Sequence, residues 1–328
     1  MTVSLSKHLK TRSFRTAFFS LFSFFLLFLF IKNPKIAGEA VTDALQKCTK
    51  LLIPSLFPLM TASEIALKCG IIDRLTRPLT QVTSKILGIK KEAVAPVFLG
   101  LIGGYTTSVW GALSLLKDKK ISKEDCERVI ALSSLPSLSF LTGFVGFGIL
   151  KNSTVGWVLW GICITSSLII GLFTQKRRNK GQKAQPFGTK TSAPNSKSVS
   201  LSKIIVDAIS NSAHSMLLIC ACVVFFSTLI ATLKFPLEAL AVPDEAQKII
   251  LGSLEITNGV SNCASIQNEL ARATTCALLI GWSGLSVHFQ IMAICDGCNL
   301  SFKKYFLYKA LQGIICGTLI ALLLLFYL

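Results

Sequence analysis

Charge is what this sequence has least of: Asp, Glu, Lys and Arg together make up 15% of its 328 residues. The acids are scarcest, 16 against 34 Lys and Arg, and there are only 3 His. So small a charged fraction, beside 52% apolar residues, argues against a water-soluble chain and for a lipid solvent. No P-loop, HExxH or other phosphate or zinc signature occurs, so ATP-driven transport by this chain alone is not expected, and neither a cofactor nor a metal is implied. LFIKNPKIAG (residues 29–38) lacks a small-x-small cleavage site. Residues 1–34 therefore read as a basic arm (Lys7, Lys10, Arg12, Arg15) leading into an uncleaved membrane anchor. The eleven cysteines lie in or beside apolar stretches without framework spacing, as reduced packing residues do. Cys295 and Cys298 form a CxxC, but no second pair and no nearby His completes a metal set.

What is abundant is apolar sequence, 52% of the chain, in long blocks such as AFFSLFSFFLLFLFI. About 20 such residues cross a hydrocarbon core of about 30 Å, and seven stretches are candidates: 14–31, 51–69, 128–150, 153–174, 210–233, 273–295 and 306–328. The solvent is a lipid bilayer. The net charge of +18 does not point to nucleic acid, because the basic residues are split among short segments between apolar blocks.

Residues 175–200, QKRRNKGQKAQPFGTKTSAPNSKSVS, form a basic linker, predicted to be cytoplasmic. The order of element types before it is kept after it. VTDALQKCTKLLI (41–53) parallels VDAISNSAHSMLL (206–218), each opening a long helix with a polar first half. VFLGLIGGYTTSVWGAL (97–113) parallels IILGSLEITNGVSNCAS (249–265), an apolar run that is interrupted and resumes. LSSLPSLSF (132–140) parallels IGWSGLSVHF (280–289), and both halves end in an apolar span. This gives a repeat at 35–174 and a second at 201–328.

Each arm of the interrupted segments is roughly nine residues, about 14 Å of helix, half the core thickness. Re-entrant hairpins fit that length, and they leave three crossings per repeat, an odd number that turns the second repeat upside down. With the N-terminus inside and the C-terminus external, 26 of the 34 Lys and Arg fall on the inner side, Lys303, Lys304 and Lys309 among them. The expected fold is an all-α polytopic membrane protein: two inverted repeats, each with a re-entrant broken-helix hairpin, plus an N-terminal anchor helix.

Interrupted backbone at membrane depth must be buried in protein or line a water-filled cavity. The breaks at Gly103-Gly104-Tyr105-Thr106-Thr107 and Glu255-Ile256-Thr257-Asn258-Gly259 are therefore expected to face each other or a cavity, with half-helix N-termini aimed at a solute. Thr106, Thr107, Thr257 and Asn258 suit the capping of the second arms, and the glycines permit positive φ. Glu255 is the residue least at home in lipid. It is read as a solute-binding or proton-coupling carboxylate, or else as a hydrogen-bonded clasp of the hairpin tip. Extrapolated as one helix, Ser283, Ser286 and Gln290 share a polar face that could line the cavity or bond to neighbouring helices, with His288 pointing away from Ser283.

At LLIPSLFP (51–58), LGLIGGYTTSVWGALSLL (99–116) with the helix start at 120–129, LGSLEITNG (251–259) and GLSVHFQ (284–290), the sequence resembles the Gate-domain, or nucleoside-recognition, superfamily. The resemblance implies a multi-pass cytoplasmic-membrane protein of endospore formers, related to concentrative nucleoside transporters, that moves a small organic solute during spore development. Dipicolinate is the candidate solute, nucleoside-like compounds the comparison. By matching positions, Gly104, Tyr105, Glu255, Thr257, Gly259, Ser286, His288 and Gln290 take the suspected binding role. The chain departs from the family pattern where Thr106 replaces a proline, and at Ser133-Ser134-Leu135-Pro136-Ser137. A coupling proton or cation and a homo-oligomer are left open by the sequence. Two other classes compete: a transporter-derived structural or signalling protein, and an intramembrane serine protease built on Gly281-Trp282-Ser283-Gly284.

Overall fold

The computed structural model describes residues 17, 19–174 and 200–327; the predicted basic arm and all but the last residue of the predicted linker lie outside them. Among the described residues the chain is helical throughout, with no strand. Helix α1 (Phe19–Lys32) meets the next helix at 94°. Asn33 is the hinge, and Pro34 opens α2 (Pro34–Lys47) at a position where a missing N–H costs nothing. A π-helical turn at Cys48–Leu52 carries α2 into α3 (Ile53–Lys68). The widened turn lies just before Pro54, whose ring is incompatible with the regular ladder behind it. The expected long helix with a polar first half is thus continuous from 34 to 68.

Helix α4 (Ile71–Leu87) is bounded by Gly70 and Gly88, both left-handed at φ 66° and 60°. Then come α5 (Val94–Gly103), α6 (Tyr105–Lys117) and α7 (Lys123–Ser133), the last capped by the Ser122 hydroxyl, which accepts from Asp125 N–H. After a non-helical stretch and a π-helical segment at Phe140–Ile149, α8 (Ser153–Phe173) completes the first set. The second set is α9 (Leu201–Ala239), α10 (Asp244–Leu254), α11 (Ile256–Cys263), α12 (Glu269–Trp282), α13 (Leu285–Ile294) and α14 (Lys303–Tyr327).

Among the described residues four stretches are long and apolar enough to cross a membrane, namely α8, α9, α12 with α13, and α14; the bent pair led by α1 makes a fifth if taken as one span. Two predicted spans are corrected in detail. The stretch 128–150 leaves helix after Ser133, where Pro136 cannot continue the ladder, and 273–295 is interrupted at Ser283 and Gly284, both at φ 80°.

The interrupted segments fold back as hairpins. A Cβ built on Gly252 would lie 2.9 Å from the Gly259 Cα, and one on Gly100 would lie 2.8 Å from the Ser108 Cβ. Seven and eight residues along a straight helix would separate these pairs by about 10 Å and about 12 Å. Corresponding elements of the two sets make corresponding contacts: α3 packs on α5 as α9 does on α10, and α6 packs on α13 as α11 does on the π-helical segment.

The two sets also run in opposite directions. In the α3/α9 pair, Lys68 near the end of α3 meets Asp207 near the start of α9 at 3.7 Å. In the α8/α14 pair, Ser166 lies 3.3 Å from Gln312, while Val155 shares a crevice with Ile320. Corresponding helices are therefore antiparallel, as inverted repeats require. Arg128 ties one end of this assembly together, donating to Leu87 O (2.7 Å), Gly171 O (2.9 Å) and Thr174 O (2.9 Å) and so satisfying orphan carbonyls at the ends of α4 and α8.

Candidate functional site

The two hairpin tips converge on a cavity of about 60 Å³. Gly103, Gly104, Tyr105 and Thr106 contribute from hairpin one, and Glu255, Ile256 and Thr257 from hairpin two. Ser286 and Gln290, one turn apart on α13, supply the third side, and Ser137 from the non-helical stretch the fourth. Leu52, Leu56 and Met60, with Ile219 and Val223, form an apolar wall. Such a space admits a few waters.

Glu255 is 1% exposed and is itself the N-cap of α11. Its Oε1 accepts from Thr257 N–H (2.9 Å). Its Oε2 accepts from the Thr257 hydroxyl (2.5 Å), Asn258 N–H (2.8 Å) and the Asn258 amide (2.9 Å). Every partner is a donor, as a carboxylate acting only as an acceptor demands, and the positive end of α11 lies against the charge. The expected roles at this tip are corrected: Glu255 caps, while Thr257 and Asn258 donate to the cap. At hairpin one no side chain caps α6, and Gly104 (φ 90°, ψ −165°) makes the turn in a region essentially restricted to glycine. Gly103 ends α5, and Gly259 is helical and packs against Gly252, away from the cavity. Positive φ is therefore required at Gly104 alone among these glycines.

Asn258 faces the other way. Its Oδ1 accepts from Lys47 Nζ (2.8 Å), and its amide also donates to Ser227 (2.6 Å). Both partners, with Asn258, line a polar cavity of about 520 Å³ that carries Glu39, Asp43, Asp244, Lys234 and Lys248. On the opposite side of the tips a small recess holds Glu64, Asn211, Ser212 and Ser215, and it shares Met60 and Thr106 with the central cavity.

Two predicted site residues do not line the central cavity. Ser283 forms the left-handed end of α12, so it is not on the α13 face that carries Ser286 and Gln290; its hydroxyl lies 3.4 Å from the Ile280 and Gly281 carbonyls. His288 is fully buried on the far side of α13, its Nδ1 2.8 Å from the Tyr305 hydroxyl and its ring packed edge-on against Trp282 and Phe306. A third correction concerns Lys309. Predicted at the inner face with Lys303 and Lys304, it is fully buried and lies 5.6 Å from the centre of the Tyr105 ring. Its position was legible in principle: six residues beyond Lys303, in YFLYKALQGII, it is about 9 Å deeper along the helix. Lys47, Ser227 and Ser137 were also missed as neighbours of the site, since nothing local announces a contact that spans 211 residues.

Over 333 aligned residues the chain is 23% identical to the sporulation integral membrane protein YlbJ of Bacillus subtilis (strain 168), covering 92% of this chain and 81% of that protein. The chain is thus YlbJ-like, an integral membrane protein similar to one of sporulation. No protein-family profile matches it, and no solved structure matches it.

Proposed function

We propose that this YlbJ-like chain is a transporter rather than an enzyme, moving a small organic solute across a membrane during spore formation, with dipicolinate the first candidate and nucleoside-like solutes the second. One observation carries the reading. Asn211, Ser212 and Ser215 of α9 line the recess, Ile219 and Val223 the central cavity, and Ser227, Ile230, Ala231 and Lys234 the polar vestibule. These positions recur every three or four residues on one face of a single helix and extend over about 35 Å, enough to traverse a hydrocarbon core of about 30 Å. A string of cavities along one helix, passing between the tips of two broken hairpins, is the arrangement of a closed alternating-access pathway. Lipid-facing helices have no reason to keep such a stripe.

In this reading the N-terminus and linker are cytoplasmic, the vestibule opens externally, and the uncapped N-terminus of α6 attracts the anionic end of the solute. Binding then requires the tips to separate, because the central cavity admits only a few waters. A second reading, a transporter-derived structural or signalling protein of sporulation, is favoured by that same small volume and by the way Glu255 is satisfied within its own hairpin.

The test is uptake of labelled dipicolinate, with nucleosides for comparison, into proteoliposomes carrying the chain or its Glu255→Gln variant. Saturable uptake that the variant loses supports transport through the tips. Absence of uptake for every solute by folded, oriented protein transfers support to the second reading.

A further inference from the structure

Lys309 is the buried charge for which the pathway has no use. Its ammonium donates to Ser134 O (2.8 Å) and Gln312 Oε1 (2.7 Å), and the face of Tyr105 closes a third side at 5.6 Å from the ring centre. None of the ion pairs among the described residues includes it. A lone ammonium in a membrane interior is expensive and marks function by default.

The oxygens around it are arranged for a cation. Ser134 follows the last turn of α7, and its carbonyl is free because the chain leaves the helix there. Gln312 is held in one orientation: its Nε2 faces Cys163 O (3.4 Å) and the Ser166 hydroxyl (3.3 Å), which leaves only Oε1 for Lys309. A released carbonyl at the negative end of a broken half-helix, joined by a side-chain oxygen, is the setting in which inverted-repeat transporters coordinate a coupling ion. Here the position is filled by a side chain from the opposite repeat. The corresponding helix α8 contains no basic residue.

We infer that the Lys309 ammonium is a tethered cation occupying a monovalent-ion site at the broken end of α7, so that the protein needs no dissociable sodium or potassium there. The flux arm of the test rests on the transport reading; the stability arm does not.

The stability arm compares the melting temperatures of detergent-purified wild type, Lys309→Ala and Lys309→Met, in chloride salts of sodium, potassium, methylammonium and the bulky N-methylglucamine. Lys309→Ala should melt below wild type and regain most of the loss with sodium or methylammonium, saturably. Lys309→Met, which fills the space without charge, should melt lower in every salt, and wild type should be indifferent. A Lys309→Met protein as stable as wild type would overturn the inference, and so would a folded Lys309→Ala protein that responds to no small cation. The flux arm uses wild type alone: uptake should persist when N-methylglucamine replaces sodium and potassium, and a collapse would also overturn it. Absence of uptake in every salt would count against the transport reading while leaving the melting comparison to decide the cation site.

Discussion

At the tip of hairpin one the chain turns through Gly104, and no side chain receives the first N–H groups of α6. At the tip of hairpin two it turns through extended backbone at Glu255, whose carboxylate receives four donors from Thr257 and Asn258. The two breaks occupy equivalent places in antiparallel repeats and border the same cavity, yet one leaves its helix end unsatisfied by side chains and the other supplies its own anion. Pseudo-symmetry of the backbone therefore does not extend to the electrostatics. The cavity lies between an uncompensated positive helix end and a compensated negative side chain, a polarity that could orient a solute with one anionic end.

The largest expected effect comes from breaking the self-capped side. Glu255→Gln keeps size but turns an NH₂ toward groups that all donate, so at least one buried N–H or hydroxyl loses its acceptor. The expected cost is about 1–3 kcal/mol in thermal unfolding, with uptake reduced at least tenfold. A variant with wild-type uptake would mean that the carboxylate serves the fold alone.

Gly104→Ala attacks the uncapped side, with an expected cost of about 1–3 kcal/mol. The added methyl must adopt a glycine-only conformation 3.1 Å from the Ser137 Cβ. A melting temperature equal to wild type would show that hairpin one can turn another way.

Asn258→Ala removes the link from Glu255 to Lys47 and Ser227, and should cost about 1 kcal/mol. If that link holds the vestibule closed, the half-saturating solute concentration should change more than the maximal rate; proteoliposome uptake measures both.

The smallest effect sharpens the contrast between equivalent threonines. Thr257→Ala loses a hydrogen bond to Glu255, about 1 kcal/mol. Thr106→Ala, at a residue that lines both the cavity and the recess, should alter melting by less than about 0.5 kcal/mol while weakening solute binding. Equal melting shifts would remove the asymmetry proposed for the two tips.

Much of this fold was legible in the sequence because lipid makes interruption conspicuous. Gly-Gly-Tyr-Thr-Thr and Glu-Ile-Thr-Asn-Gly stand out within apolar runs, and a helix that stops halfway through a bilayer must turn back or line a cavity. What was hidden depended on tertiary context. Trp282-Ser283-Gly284-Leu285 projects smoothly onto one helical wheel, and only the φ values of Ser283 and Gly284 reveal that the wheel is interrupted, which takes Ser283 off the face of Ser286 and Gln290. His288 was suggested by resemblance to a motif, but its ring is claimed by Tyr305. The cap at Glu255 was also beyond local reading, since Thr and Asn are the better-known N-caps and both follow it.

The closed circuit at Glu255 has a mechanical corollary. Its four bonds are made to Thr257 and Asn258, which travel with it, whereas the bond from Lys309 to Ser134 O joins opposite repeats. If hairpin two swings, the carboxylate and its four donors move as one unit, so none of these buried hydrogen bonds has to break during the stroke. Lys309 would instead act as a fixed pivot about which the unit turns, and the Lys47–Asn258 contact as the catch released at the start of the stroke.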